Sequence, residues 1–156
     1  MLVAALLASG CGDDEKLTPG SRIVTASQLQ AEAKSIGYPI YWLGEIDGKQ
    51  LEFTDRADGR VYVRYIPDGA KAGTQDKYLT VGTYPMENAY GVVTAISKKD
   101  GAKSPPVKGG IAAVAPAKPD SVFVAFKDQD LQIEVYDPNP SAALEAATSG
   151  NLQQVK

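Results

Sequence analysis

Two Asp-Gly pairs separate short segments of alternating apolar and polar residues, and they constrain the fold more than any other feature. Asp47-Gly48 precedes the segment 50–54, and Asp58-Gly59 stands between that segment and 60–66. Asp-Gly between alternating segments is the strongest short-range signal for a β-hairpin, because both residues tolerate the positive φ of the turn. The pattern therefore predicts antiparallel strands joined by tight turns.

The remaining segments extend this pattern to an α+β fold. Further strands are predicted over 38–43, 78–84, 110–115, 121–126, 131–136 and 152–155. Helices are predicted over 25–36, 86–99 and 140–148. Capping-box spacings that begin at Thr25 and Ser27 indicate the start of the first helix, and Asn139 as N-cap before Pro140 indicates the start of the last. Short connections favour antiparallel pairing, so we expect a mostly antiparallel sheet of about six to eight short strands with two or three helices packed on one face.

Composition excludes several classes of protein and site. The chain of 156 residues has a formal net charge of −3, no histidine and a single cysteine, Cys11. A weakly acidic chain is a poor nucleic-acid binder. The missing residues exclude a Ser-His-Asp triad, a histidine-ligated zinc site and a disulfide. We expect no metal site and no cofactor, and one domain over 23–156 held together by its core alone.

The N-terminus has the pattern of a lipoprotein export signal. Residues 2–9 are a short apolar run ending in small residues, and Ala8, Ser9 and Gly10 occupy the positions of a lipobox before Cys11. We expect 1–10 to be the signal peptide, Cys11 to carry lipid such as palmitate, and 11–22 to be a flexible tether. The run lacks a positively charged start, which predicts a start codon upstream of Met1 or a trimmed chain. The alternative is a buried N-terminal helix with an inert core cysteine, which the charged residues 13–16 disfavour.

The sequence Arg60-x-Tyr62-x-Arg64 is the first candidate ligand site. Alternation along a strand places these three side chains on one face, where two guanidinium groups beside a phenol can hold a carboxylate, a phosphate or a sugar acid. The alternative is a solvated sheet face with cross-strand pairs to Glu52 or Glu45.

Aromatic residues Tyr38, Tyr41 and Trp42 form the second candidate. Exposed, these rings would be a stacking platform for sugars, and Trp42 joins the arginine–tyrosine face as a speculative ligand residue. Buried, they belong to the core, which is the interpretation favoured here because an aromatic strand after a helix usually packs beneath it.

Acidic residues form the third candidate. Asp55 and Asp58 precede a turn, where such side chains cap the local backbone. Asp128, Asp130 and Glu134 lack the spacing and glycine of a calcium loop and indicate another hairpin turn. A pair of carboxylates for glycoside hydrolysis depends on spatial proximity, which a sequence does not display.

Three stretches carry a family resemblance: Gly-Tyr-Pro-Ile-Tyr-Trp-Leu-Gly at 37–44, Asp-Gly-Arg-Val-Tyr-Val-Arg-Tyr at 58–65 and Thr-Val-Gly-Thr-Tyr-Pro at 80–85. Together they resemble a group of small actinobacterial-type lipoproteins with a lipobox and one α+β domain of unknown function. The resemblance implies no activity and no site residues, and it supports the lipoprotein prediction.

The sequence therefore predicts a lipid-anchored protein at the extracytoplasmic face of the cell membrane. We expect a non-catalytic binding or accessory module that assists an envelope protein partner. One alternative is a domain that binds a sugar or anion through Arg60, Tyr62, Arg64 and Trp42, and a second is a carboxylate-based hydrolase. The absence of a catalytic motif favours no enzyme.

Overall fold

The computed structural model describes residues 20–156. Cys11, the predicted signal peptide 1–10 and the predicted tether up to residue 19 lie outside the described residues. The elements in chain order are β1 (Arg22–Val24), α1 (Ala26–Ile36), β2 (Tyr41–Trp42), β3 (Lys49–Asp55), β4 (Val61–Pro67), β5 (Thr80–Pro85), α2 (Ala89–Ser97), β6 (Gly110–Ala113), β7 (Ser121–Phe126), β8 (Leu131–Tyr136), α3 (Pro140–Thr148) and β9 (Gln153–Gln154).

Seven of the strands form one antiparallel sheet in the order β1-β3-β4-β5-β8-β7-β6. Two three-stranded meanders, β3-β4-β5 and β6-β7-β8, join where β5 pairs with β8 in the centre. The remaining pair, β2 with β9, forms a small second sheet. The predicted α+β fold with a mostly antiparallel sheet is confirmed.

Side chains on one face of the large sheet build the main hydrophobic core, and this is called the core face. Alternate residues of β3, β4, β7 and β8 point into it, and α1 and α3 cover it. Among the core residues that are at most 2% exposed are Leu29, Phe53, Val63, Val122, Ile133, Ala143 and Ala147.

Helix α2 packs on the opposite face, which is called the open face. Ala89 and Val93 of the helix contact Ala113, Phe123 and Ala125 of β6 and β7. The expectation that helices share one face holds for α1 and α3, whereas α2 lies on the other. The reason is that five of the six residues of β7 are buried, and a strand with two apolar faces needs cover on both.

Local signals placed the helix ends with varying success. The capping box of α1 is present, with the Thr25 hydroxyl accepting from the Gln28 amide and the Gln28 side chain accepting from the Thr25 amide. Asn139 caps α3 as predicted, and α3 spans 140–148 as predicted. Helix α2 starts later than predicted because Pro85 still belongs to β5 and Asn88 adopts a left-handed φ of 53° before the first turn.

The predicted aromatic strand is mostly core. Tyr41 is 4% exposed and stacks on Phe126 with 5.4 Å between ring centroids. Trp42 and Tyr38 are partly buried against the same core cluster, and the Tyr38 hydroxyl donates to the Gly59 carbonyl. The strand itself is shorter than predicted, because only Tyr41 and Trp42 find a partner strand, β9. The hairpin predicted at Asp47-Gly48 is therefore wrong, since β3 pairs with β1 and β4 and not with β2.

Candidate functional site

The half of the open face that α2 leaves uncovered forms a polar cleft over β3, β4 and β5. Its volume is about 280 Å³. Hydroxyl, amide and charged side chains line it together with three tyrosine rings. The lining residues are Ser21, Glu52, Thr54, Arg56, Tyr62, Arg64, Thr74, Gln75, Asp76, Lys77, Tyr78, Thr80 and Tyr136.

An ion pair between neighbouring strands forms the floor of this polar cleft. Glu52 of β3 lies directly opposite Arg64 of β4, and a guanidinium nitrogen of Arg64 is 2.7 Å from the Glu52 carboxylate. The Glu52 side chain is 0% exposed and that of Arg64 is 15% exposed. Removing a carboxylate from water is costly unless it is paired and hydrogen-bonded, so Arg64 is what makes the burial of Glu52 tolerable.

The same pair holds the loop that forms one wall of the cleft. The second Glu52 oxygen accepts from the Gly73 amide at 2.7 Å. Arg64 donates to the Thr74 carbonyl at 3.2 Å and to the Asp76 carbonyl at 2.6 Å. The loop 73–78 is therefore fixed from below by one acid and one base, and the terminal nitrogens of Arg64 are used within the protein rather than offered to a ligand.

The candidate residues from the sequence separate into three places. Tyr62 and Arg64 line the cleft, as the alternation predicts. Arg60 precedes β4 and is not among the lining residues; its guanidinium binds the Asp58 carboxylate at 2.6 and 2.9 Å. Trp42 lies in β2 against the core cluster, away from the cleft. The sequence offered two interpretations of this strand face, a ligand site or a set of cross-strand ion pairs. The structure contains the cross-strand pair between Arg64 and Glu52.

The Asp58–Arg60 contact leads to a prediction about pH. Arg60 hydrogen-bonds to the Asp58 side chain and lowers the pKa of that carboxyl from 3.8 to about 2. Because the folded pKa is the lower one, the stabilising contribution is complete above about pH 4 and is lost as the pH falls toward 2. We expect a carboxyl NMR titration of Asp58 with a midpoint near 2, and a return toward the ordinary value in Arg60→Ala. An unchanged midpoint in that variant would contradict the assignment to Arg60.

A hydrogen-bonded network crosses the open face beside the cleft. The Tyr84 hydroxyl donates to one oxygen of Glu134 and the Ser121 hydroxyl to the other, each at 2.7 Å. The Tyr62 ring packs edge-on to the Tyr84 ring, with 5.7 Å between centroids. Burial raises the pKa of Tyr84 above its usual value, and the Glu134 carboxylate adds to the rise. Tyr84 therefore stays a protonated donor at neutral pH, and the network fixes the ring of Tyr62 at the cleft.

Gly82 makes this network possible. It lies between Tyr62 and Glu134 in the sheet register, and the Tyr84 ring folds back over it. A Cβ on residue 82 would lie 2.6 Å from Cζ of Tyr84, so the ring would have to move. We expect Gly82→Ala to lower the free energy of unfolding by about 1–3 kcal/mol and to break the Tyr84–Glu134 bond. The pKa of Tyr84, followed by NMR of the assigned tyrosine ring, should fall toward that of a free tyrosine; an unaltered ring signal with full stability would contradict this geometry.

The acidic residues serve mainly as local hydrogen-bond acceptors. The Asp130 carboxylate accepts from the backbone amide of Asn88 and the Asp58 carboxylate from that of Arg60, whereas Asp55 pairs with Arg22. Glu52 and Glu134 stand on strands three spacings apart, at least ~14 Å between Cα atoms, and each carboxylate is hydrogen-bonded within the protein. Within residues 20–156 no group of acidic side chains has the arrangement of a metal site, and no helix has the length and apolar character needed to cross a bilayer.

Several cleft residues carried no signal in the sequence. Ser21 was assigned to the tether, yet its hydroxyl is 2.8 Å from that of Thr54 in the cleft. The loop 73–78 looked like an ordinary polar connection, and Tyr136 lies on β8, far from β4 in sequence. The approach of Ser21 depends on the pairing of β1 with β3, and that of Tyr136 on the pairing of β5 with β8; no local pattern indicates either pairing. Arg56, which directly follows β3, is also in the lining.

Comparison of the chain with protein-family models, curated proteins and solved structures finds no match. The resemblance to small actinobacterial-type lipoproteins therefore stays a prediction.

Proposed function

We propose that this chain is a non-catalytic binding module of the cell envelope, anchored through lipid on Cys11 at the extracytoplasmic face of the cell membrane. Its binding site is the polar cleft, and its ligand is a small hydroxyl-rich molecule of the sugar class. The observation that carries this proposal is the clamped wall of the cleft, where the buried Glu52–Arg64 pair fixes the loop 73–78 in place.

A fixed wall favours binding because the conformational entropy of the loop 73–78 is lost when the protein folds, and not when the ligand binds. The volume of about 280 Å³ is close to the lower end of the range for small-molecule sites, about 300–1,000 Å³, so the ligand should be small. The rings of Tyr62, Tyr78 and Tyr136 line the cleft. The hydroxyls of Thr54 and Thr80 lie among them, hydrogen-bonded to the Ser21 hydroxyl and the Tyr78 carbonyl. Aromatic faces combined with hydroxyl groups suit a ligand that has both C–H and O–H surfaces.

The position of Ser21 relates the cleft to the anchor. The chain enters the sheet at Arg22, directly beside the cleft, and ten residues separate Arg22 from Cys11. A chain of that length reaches no more than about 40 Å when fully extended. With lipid on Cys11, the cleft would therefore work close to the membrane surface and sample ligands there.

The anchor is tested in cells by labelling with a palmitate analogue. We expect the label and the membrane fractionation of the protein to be lost together in Cys11→Ser. Label retained by Cys11→Ser, or a membrane-bound variant without label, would contradict the anchor.

The binding site is tested on the Cys11→Ser protein by amide NMR with glucose, galactose, N-acetylglucosamine and glucuronate. We expect at least one sugar to shift amides of β4, β5 and the loop 73–78. Tyr136→Ala, in the cleft, should abolish these shifts, whereas Tyr90→Ala, on α2, should leave them unchanged. No shift with any sugar, or shifts confined to other surfaces, would overturn the cleft as the binding site.

A further inference from the structure

The polar cleft differs in charge from the protein around it. Three cations, Arg56, Arg64 and Lys77, line it against two anions, Glu52 and Asp76. The whole chain has the opposite balance, with a formal net charge of −3. A concave site that gathers one sign of charge raises the local concentration of ligands of the other sign.

The cations divide into one that is paired and hydrogen-bonded within the protein and two that form no ion pair among residues 20–156. Arg64 neutralises buried Glu52 and donates to the loop carbonyls. Arg56 and Lys77 are exposed, and neither side chain forms an ion pair within the described part of the chain. These two side chains are therefore the ones in the cleft that can bind a negatively charged group.

A second observation points to a ligand that also carries hydroxyls. Thr74 lines the cleft wall and is 7% exposed, and its Oγ1 is a buried polar atom without a hydrogen-bond partner among residues 20–156. Buried polar groups are nearly always hydrogen-bonded, so an unpaired one needs a reason. Thr74 Oγ1 has almost no solvent-exposed surface, so the Thr74 side chain must rotate before a ligand hydroxyl in the cleft can supply the partner that it lacks.

We infer that the ligand of the cleft is a small hydroxyl-rich anion, such as a uronic acid, whose negative group binds Arg56 and Lys77 while its hydroxyls face Thr74 and the tyrosines. This inference rests on the proposed function, because it names the ligand class of the same site. It assigns the recognition of the anion to Arg56 and Lys77 and leaves Arg64 as a positioning residue that holds the wall.

The test compares the affinities of glucuronate, glucose and inorganic phosphate for the Cys11→Ser protein by calorimetry. We expect glucuronate to bind about tenfold more tightly than glucose, which corresponds to about one charge-assisted hydrogen bond. The double variant Arg56→Gln/Lys77→Gln should bring the two affinities within about threefold of each other. The matched double variant Lys34→Gln/Lys99→Gln, exposed and outside the cleft, should keep the preference. The preference should also weaken with added salt, because both cations are exposed.

The outcomes separate this inference from the proposed function. Equal affinities for glucose and glucuronate, or a preference that survives Arg56→Gln/Lys77→Gln, would overturn the inference and leave the cleft as a sugar site. Inorganic phosphate binding as tightly as glucuronate would also overturn it, because the hydroxyls would then contribute nothing. Failure of all three compounds and of the neutral sugars would overturn the proposed function itself. Thermal melting of each variant keeps loss of binding distinct from loss of folding.

Discussion

Arg64→Ala is expected to lower the free energy of unfolding by about 3–5 kcal/mol, because it leaves the carboxylate of Glu52 buried without its counter-charge. The loss includes the hydrogen bonds that fix Thr74 and Asp76, so the loop 73–78 should become mobile at the same time. Urea unfolding followed by the fluorescence of Trp42, the single tryptophan, measures the stability. Amide hydrogen exchange at 73–78 measures the release of the loop.

The matched control is Arg60→Ala. Arg60 is also an arginine paired with an acid, yet its partner Asp58 is exposed, and exposed ion pairs contribute little. We expect its unfolding midpoint to fall much less than that of Arg64→Ala, because solvent screens the exposed pair. Adding Glu52→Gln to Arg64→Ala should restore part of the stability, because the unpaired charge is gone. Equal losses for Arg60→Ala and Arg64→Ala would show that the buried pair does not hold the floor of the cleft.

Leu29→Ala is expected to lower the free energy of unfolding by roughly 3 kcal/mol, within the range for deletion of a buried leucine. Leu29 is the one fully buried residue of α1, at 0% exposure, and it joins the helix to the core face. Because the other apolar residues of α1, such as Ile36, are only partly buried, the helix has little else to hold it. We expect hydrogen exchange to rise more in α1 than in α3.

Lys34→Ala provides the control for this change. Lys34 is exposed in the last turn of the same helix, and alanine is an equally good helix former there. Its unfolding midpoint should remain near that of the wild type. Losses of similar size in Leu29→Ala and Lys34→Ala would indicate that helix propensity, and not packing on the core face, stabilises α1.

Local chemistry explains why so much of the secondary structure could be predicted. The Asp58-Gly59 turn joins β3 and β4 in the register that places Glu52 opposite Arg64. The capping box at Thr25 and the Asn139-Pro140 pair place the starts of α1 and α3. Each of these signals acts within a few residues, so a single sequence contains all of the information that it needs.

The missed elements depend on contacts between distant segments. β1 at Arg22–Val24 is too short to be recognised, and it exists because the outer edge of β3 pairs with it. β2 pairs with β9 from the opposite end of the chain. Helix α2 lies on the open face because β7 is apolar on both sides. None of these pairings has a local pattern, since their energy comes from surfaces that meet only after the chain has folded.

By itself the sequence determined the Asp58-Gly59 hairpin, two of the three helix starts, the α+β class and the shared face of Tyr62 and Arg64. The tertiary structure decided what that face does. It placed Glu52 under Arg64, used the terminal guanidinium nitrogens for the loop 73–78, and left Arg56 and Lys77 as the cations of the cleft without an ion pair among the described residues. Alternation along a strand specifies which way a side chain points, but whether its charge is already neutralised depends on neighbours that only the folded sheet brings together.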